Sequence, residues 1–313
     1  MRILVLGAGA IGGYFGGRLV QAGGDVIFLV RERRAEQLRE RGIVVKSPHG
    51  DFAVPARAVV RAQDAADVDL VLVACKSYDL ESAIESIAPA VGTSTTVLPL
   101  LNGVAHIERL VAAFGAARVA AGSCAIPATL SPDGEIVHLG TFHSIVFGRL
   151  AATSADAQPK LEALRGLFAK TLVPVEIAED MMTALWEKFV GLATLAAMTC
   201  LMRASVGDIV STDDGEALVG ATFVACTQTA AAAGHPPRDV AAQRFRAMLA
   251  DRSSTLTASM LRDLQAGGRT EGAHIVGDML RRARAAGVEP ASLPAAWCHL
   301  QAAERARARA QAQ

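Results

Sequence analysis

Short apolar runs alternate with helical patterns through the first half of the chain. The runs at 3–6, 26–30, 69–75 and 96–101 predict strands, and the apolar spacing at 11–22 and 80–88 predicts helices between them. Such alternation implies a parallel sheet with helices packed on its faces. Further runs at 118–126, 135–138, 144–148 and 173–177 are expected to extend this sheet, some of them antiparallel, around a helix at 158–170.

After Asp180 the texture changes. β-Branched runs give way to long Ala, Leu, Met and Arg stretches of helical period, punctuated at 211–214, 234–237, 267–268 and 287–290. The pattern predicts an α/β domain with a mostly parallel sheet over 1–179 and an all-α domain over 180–313. The tail QAAERARARAQAQ reads as an exposed or frayed helix end.

Composition agrees with two cores: 313 residues is long for one, and 51% of them are hydrophobic. Lys plus Arg and Asp plus Glu number 31 each, so the formal charge is zero and a nucleic-acid or membrane-surface partner loses its electrostatic support. Five cysteines, widely spaced and never in C-x-x-C, read as reduced thiols of a cytoplasmic protein. The opening MRILVLGAGA lacks a signal-peptide pattern, and the weakly polar stretch 191–202 falls short of the roughly 20 residues a membrane span needs, so a soluble protein is expected.

Chemistry enters with G-A-G-A-I-G at 7–12, placed directly after the first strand and opening a helix. In that position it is a dinucleotide fingerprint and makes the first domain Rossmann-type. Gly7 permits the tight turn, Gly9 lets a pyrophosphate approach, Gly12 lets helix and strand pack, and the helix start, with Ala10 and Ile11, receives the phosphates. After the second strand comes Arg31 rather than the acid that usually holds a ribose diol. Arg31, with Arg33 or Arg34, can pair with a 2′-phosphate and favours NADPH, while Glu32 is the contrary feature.

Two polar residues, Lys76 and Asn102, fall at carboxyl ends of predicted strands, where ligands of doubly wound sheets bind. Each can equally be a solvated loop residue. Lys188, in LWEKFVGLATLA at 185–196, lies at or near an apolar helix face; it is either a snorkelling lysine or a charge needed in a site.

The opening RILVLGAGAIGGYFGGRLVQAG, Arg31, C-K at 75–76, LNGV at 101–104, W-E-K at 186–188 and SMLRDLQAGGRTEG at 259–272 together resemble the ketopantoate reductase (2-dehydropantoate 2-reductase) family over nearly the whole chain. The resemblance implies NADPH-dependent reduction of a 2-oxo acid. It places the catalytic lysine on Lys188, the essential glutamate on Glu271, the substrate-binding serine on Ser259, and the strand-end asparagine and lysine on Asn102 and Lys76. A cation able to donate a proton suits the charge that develops on a carbonyl oxygen during hydride delivery.

The chain departs from the family at 192 and 196. Asparagines are expected four and eight residues beyond the lysine, and Leu192 and Ala196 stand there. The alternatives are therefore a family member acting on a more apolar 2-oxo acid, or a sensor that binds NADPH without catalysis. His138 with His143, and the lone E-x-x-H of Glu271 and His274, match no usual ligand pattern, so no metal is expected. The expected partner is a small-molecule 2-oxo acid, and a homodimer is compatible with the chain.

Overall fold

The computed structural model describes residues 1–311. Its first unit opens with β1 (Arg2–Leu6), α1 (Ala10–Gln21), β2 (Asp25–Leu29) and α2 (Glu32–Arg41). Three short strands follow, β3 (Ile43–Lys46), β4 (Phe52–Val54) and β5 (Arg57–Val59), then β6 (Leu70–Val73), α3 (Leu80–Ile87), β7 (Thr96–Pro99) and α4 (Ala105–Phe114). Strands β5-β2-β1-β6-β7 form one sheet, parallel throughout.

Successive strand residues point to opposite faces, and here both faces are buried. Ile3, Val5, Phe28, Leu70 and Leu72 pack with Tyr14, Phe15 and Leu19 of α1. Leu4, Ile27, Leu29, Val71 and Val73 pack with Leu80 and Ile87 of α3 and Leu110 and Phe114 of α4. Helices on both sides are why these strands read as unbroken apolar runs.

The next strands, β8 (Ala120–Ala125), β9 (Ala128–Leu130), β10 (Ile136–His138), β11 (Ser144–Arg149) and β12 (Val175–Ile177), do not extend this sheet as expected. They build a three-stranded sheet β12-β11-β8 and, with the two hairpin strands after α2, a four-stranded sheet β4-β3-β10-β9. Between β7 and β8 there is one isolated bridge, Val97 to Val119. Pro99 lacks the N–H that would continue a ladder along the β7 edge. Helix α5 (Ala157–Phe168) closes the first core with Leu161, Leu164 and Phe168.

By internal contacts this unit comprises Met1–Leu101 and His106–Met181, and a second comprises Met182–Gln313 together with the tetrapeptide Asn102–Ala105. The second unit is helical: α6 (Met181–Met202), α7 (Val206–Val210), α8 (Gly215–Ala232), α9 (Asp239–Ala250), α10 (Ser259–Gln265), a π-helical turn Ala273–Gly277 leading into α11 (Asp278–Ala285), and α12 (Leu293–Gln311). The last two residues of the Ala/Arg/Gln tail lie outside the described residues.

Helix α6 runs for 22 residues, longer than the 191–202 stretch read from the sequence, and is long and apolar enough to cross a membrane by length and composition alone. Most of it is buried within the protein, as an all-round apolar core helix should be. Thr194 and Thr199 enter that interior by donating to the carbonyls of Val190 and Leu195, four residues back.

Candidate active site

The glycine loop follows β1 at the carboxyl end of the parallel sheet. Gly7 has φ +89°, a left-handed conformation suited to glycine, and donates to the Leu29 carbonyl of β2. A Cβ on Gly12 would collide with the Gly7 carbonyl oxygen, whereas a Cβ on Gly9 would meet nothing within 4 Å. The loop is thus closed toward the protein and open at Gly9. Helix α1 begins there with no acid in its first turn and no side-chain cap, which leaves its N–H groups and positive dipole end available to an anion. These features fit a dinucleotide pyrophosphate held by Gly9, Ala10, Ile11 and Gly12.

Arg31 is the N-cap of α2, exposed, with its guanidinium 3.6 Å from Asp79. Glu32, which could have pointed inward to a ribose diol, is engaged by Arg39 at 3.2 Å. Arg34 is turned away from any 2′-phosphate role: its Nε donates to the Ala8 carbonyl of the glycine loop at 3.0 Å and its Nη1 to the Gly134 carbonyl at 2.9 Å. Burial lowers its pKa. Arg34 therefore braces the phosphate loop, a task that an arginine in a charged run does not advertise. Lys76 is exposed, three residues past β6, and its carbonyl accepts from the Asp79 N–H.

In the helical unit, α6 turns the first two members of W-E-K inward. Trp186 is buried, with the Arg282 guanidinium 5.5 Å above its ring. Glu187 is buried and accepts from the main-chain N–H of Arg238 at 2.9 Å and from its Nε and Nη2 at 2.7 Å. Burial alone would raise the Glu187 pKa, but the bonds from Arg238 hold it below the ordinary value. Lys188 is left part-exposed on the stripe it shares with Ala184 and Leu192, four residues to either side. Ala196, one turn further, is 1% exposed.

Ser259 is exposed and opens α10; the N–H of Ala258 just before it reaches Thr199 Oγ1 of α6 at 3.3 Å. Glu271 lies two residues before the π turn, and its carbonyl accepts from the N–H groups of His274 and Ile275. Its predecessor Thr270 is fixed by Glu304 of α12, which accepts from the Thr270 N–H at 2.7 Å and hydroxyl at 3.0 Å. Asn102 follows β7 in sequence, yet by contacts it belongs to the helical unit along with Lys188, Ser259 and Glu271. Gly7, Gly9, Ala10, Ile11, Gly12, Arg31 and Lys76 belong to the first unit.

The pair His138 and His143 is joined by a third histidine, His49, which the sequence reading missed because it lies about 90 residues earlier in the chain. His49, His138 and His143 bring ring nitrogens within 4.8 Å of one another. The His49 and His143 rings stack at 4.0 Å with planes 4° apart, so their in-plane lone pairs do not converge on one point. Four of the six ring nitrogens make hydrogen bonds: His49 Nε2 with the Thr141 carbonyl, His138 with Ser47 Oγ and the Phe142 carbonyl, and His143 Nδ1 with the Tyr14 hydroxyl at 2.6 Å. Burial, then the neighbouring His49, His138 and Arg18, push the His143 pKa down to about 4.

The profile of ketopantoate reductase PanE/ApbA matches residues 3–152, and that of its C-terminal region matches residues 180–304. The uncharacterized oxidoreductase YkpB of Bacillus subtilis is 34% identical over 304 residues, covering 96% of this chain and 98% of its own. A 2-dehydropantoate 2-reductase of Halobacterium salinarum is 28% identical, covering 91% of this chain and 92% of its own. Among solved structures, the PanE/ApbA family ketopantoate reductase of Ralstonia eutropha JMP134 superposes with a TM-score of 0.87 at 27% identity, covering 98% of this chain and 99% of that one.

Proposed function

We infer that this chain, which belongs to the ketopantoate reductase PanE/ApbA family along nearly its whole length, is a cytoplasmic NADPH-dependent reductase of 2-oxo acids, with 2-dehydropantoate (ketopantoate) as the leading substrate. The observation that carries the reading is the company Asn102 keeps: it leaves a strand of the nucleotide-binding unit and joins, by its contacts, the helical unit that bears Lys188, Ser259 and Glu271. A sensor that transfers nothing has no use for a cation, an acid, a hydroxyl and an amide kept at the four positions where the family resemblance expects them.

The residues divide the work by chemistry. The open side of Gly9 and the first N–H groups of α1 hold the pyrophosphate, and Arg31 pairs with the 2′-phosphate. When bound, the reduced nicotinamide supplies the hydride. Lys188 donates the proton to the carbonyl oxygen as charge develops on it. Glu271 orients the ammonium and accepts from a substrate hydroxyl, Asn102 donates to the reacting oxygen or the carboxylate, and Ser259 holds the carboxylate. Lys76 contributes positive charge beyond the end of β6.

A second reading, a more apolar 2-oxo acid, is favoured by Leu192, which shares the part-exposed stripe of Lys188 one turn away. Burying a hydroxyl against leucine without a partner costs about 1–3 kcal/mol. Ketopantoate should accordingly show a high KM, and a 2-oxo acid with an alkyl group in place of the hydroxymethyl arm should compete well. Leu192→Asn should lower the KM for ketopantoate by about tenfold and leave the alkyl analogue behind. Ala196→Asn is not a useful companion, since an amide at that buried position would overpack the core. A wild-type KM for ketopantoate in the low micromolar range would remove the second reading.

A further inference from the structure

Lys188 projects from a stretch of α6 that the rest of the helical unit holds along one flank. Each residue advances about 100° around an α-helix, so Glu187 and Gly191 fall on the same side of Lys188, roughly 100° and 60° away from it. Helix α9 occupies that side. Its N-cap, Arg238, gives Glu187 three bonds, from the main-chain N–H at 2.9 Å and from Nε and Nη2 at 2.7 Å each. About two turns further along α9, Phe245 lies against Gly191, where a Cβ would collide with its ring.

The segment leading into α9 tightens the same grip. His235 stacks on the Trp186 ring at 6.2 Å with planes 19° apart, and Pro236 and Pro237, whose φ is fixed, join it to Arg238. The Arg282 guanidinium that lies over Trp186 is itself held by the buried Asp278 at 2.9 Å. Trp186 and Glu187, the two residues before the lysine, are thus each fixed by partners outside α6. The dependence between Glu187 and Arg238 runs one way. The carboxylate side chain is 8% exposed and needs its pair, whereas the guanidinium is 70% exposed and would be solvated without it.

We propose that Arg238 is a positioning residue for Lys188: by holding Glu187 from the start of α9, it fixes the rotation of the α6 turn from which the lysine projects, and with it the point at which the ammonium meets the carbonyl oxygen. This rests on the reductase reading for its kinetic consequence but not for its structural one. An ion pair of this kind adds little net stability, and its bidentate geometry supplies orientation instead. Without the guanidinium the carboxylate turns toward water and takes the helix turn with it, so proton delivery suffers while the nucleotide loop of the other unit is untouched.

The test compares Arg238→Ala, which keeps the main-chain bond and removes both side-chain bonds, with Arg238→Lys, which keeps the charge without the fork. Each is read by steady-state kinetics with the 2-oxo acid that wild type reduces fastest, by NADPH titration, and by the rate of reductive methylation of Lys188 followed by mass spectrometry. Arg238→Ala should lower kcat by about 10- to 100-fold with KM within about threefold, since misplacing a group that acts in the transition state costs that much and leaves ground-state binding alone. NADPH affinity should stay within about twofold of wild type. Lys188 should be methylated faster, and Arg238→Lys should recover part of both effects. Should Arg238→Ala fail to fold, Arg238→Gln takes its place with the same expectations. In the Lys188→Ala background the Arg238 substitution should add little to the loss of kcat, because the arginine acts through that lysine. An equal further loss in that background overturns the proposal, as does an unchanged kcat in an active enzyme or an unchanged methylation rate. If wild type consumes no NADPH with any 2-oxo acid, the reductase reading fails, and methylation of Lys188 alone decides whether Arg238 sets its place.

Discussion

Two helix starts in this molecule carry opposite equipment. At α1 the first turn has no acid, no side-chain cap and open space at Gly9, so the positive end of the helix is left for a ligand. At the π turn the chain spends its own carboxylates on the same problem: Glu304 takes the Thr270 N–H, Glu271 stands immediately before the helix, and Asp278 follows within it. The first start suits an anion, and the second suits a cation or a hydroxyl. Helix N-termini thus acquire their ligand preference from what the first turn leaves unsatisfied, not from the helix alone.

The largest way to break this contrast is to remove the cation proposed to serve the second site. Lys188→Ala should lower turnover by about 10²–10⁴ while NADPH titration is nearly unchanged, because a positioned proton donor is worth that much and the nucleotide loop lies in the other unit. If turnover stayed close to wild type, Lys188 would be a lysine that merely covers apolar surface.

At the α1 start the two glycines should separate cleanly. Gly12→Ala drives a Cβ into the Gly7 carbonyl and should cost about 1–3 kcal/mol of stability in urea unfolding, with cofactor binding lost alongside. Gly9→Ala adds a methyl on the open side, so unfolding should stay near wild type while NADPH affinity falls by roughly one order of magnitude. Equal loss of stability in both would mean that the Gly9 side is packed rather than open.

Arg31→Ala sharpens the comparison further. A charge-assisted pair with the 2′-phosphate is worth roughly 1.5–3 kcal/mol, so the preference for NADPH over NADH should erode by about one to two orders of magnitude. Equal affinity for the two cofactors in wild type would assign Arg31 to its neighbour Asp79 instead.

The two starts also differ in how visible they were beforehand. The parallel sheet and its glycine loop are legible because buried strands read as apolar runs and a tight phosphate turn needs glycines at fixed spacing. The three- and four-residue strands β3, β4 and β5 are too short to carry a period, and nothing in a run of later strands says that they will form separate sheets. In the helical unit Lys188 stood out as a charge at an apolar helix face, while its role, and Ser259 and Glu271 altogether, came through family resemblance rather than local pattern. Glu187 appeared only as the middle of W-E-K and Arg238 not at all, since their pairing joins residues 51 apart in the chain. Arg34 looked like one more charge on an exposed helix until its bond to Ala8 gave it a place.

A smaller effect concerns acid stability of the first unit alone. His143 has a folded pKa of about 4 against an ordinary value of 6.5, so below 6.5 the unfolded chain takes up a proton that the folded one refuses. Its contribution is present above about pH 6.5 and lost as the pH falls toward 4. Protonation there would also face His49, His138 and the Arg18 guanidinium. Unfolding free energy should fall by roughly 1–3 kcal/mol between pH 7 and pH 4.5, and His143→Gln should flatten that slope. A slope unchanged in the variant would locate the acid sensitivity elsewhere.

The most direct test of the account is to follow the absorbance of NADPH and, separately, NADH while the wild-type protein meets ketopantoate and a series of alkyl 2-oxo acids. The account predicts consumption of NADPH with at least one 2-oxo acid, faster than with NADH at equal concentration, and release of the matching 2-hydroxy acid. Tight NADPH binding with no oxidation by any member of the series would contradict it and leave a nucleotide-binding sensor.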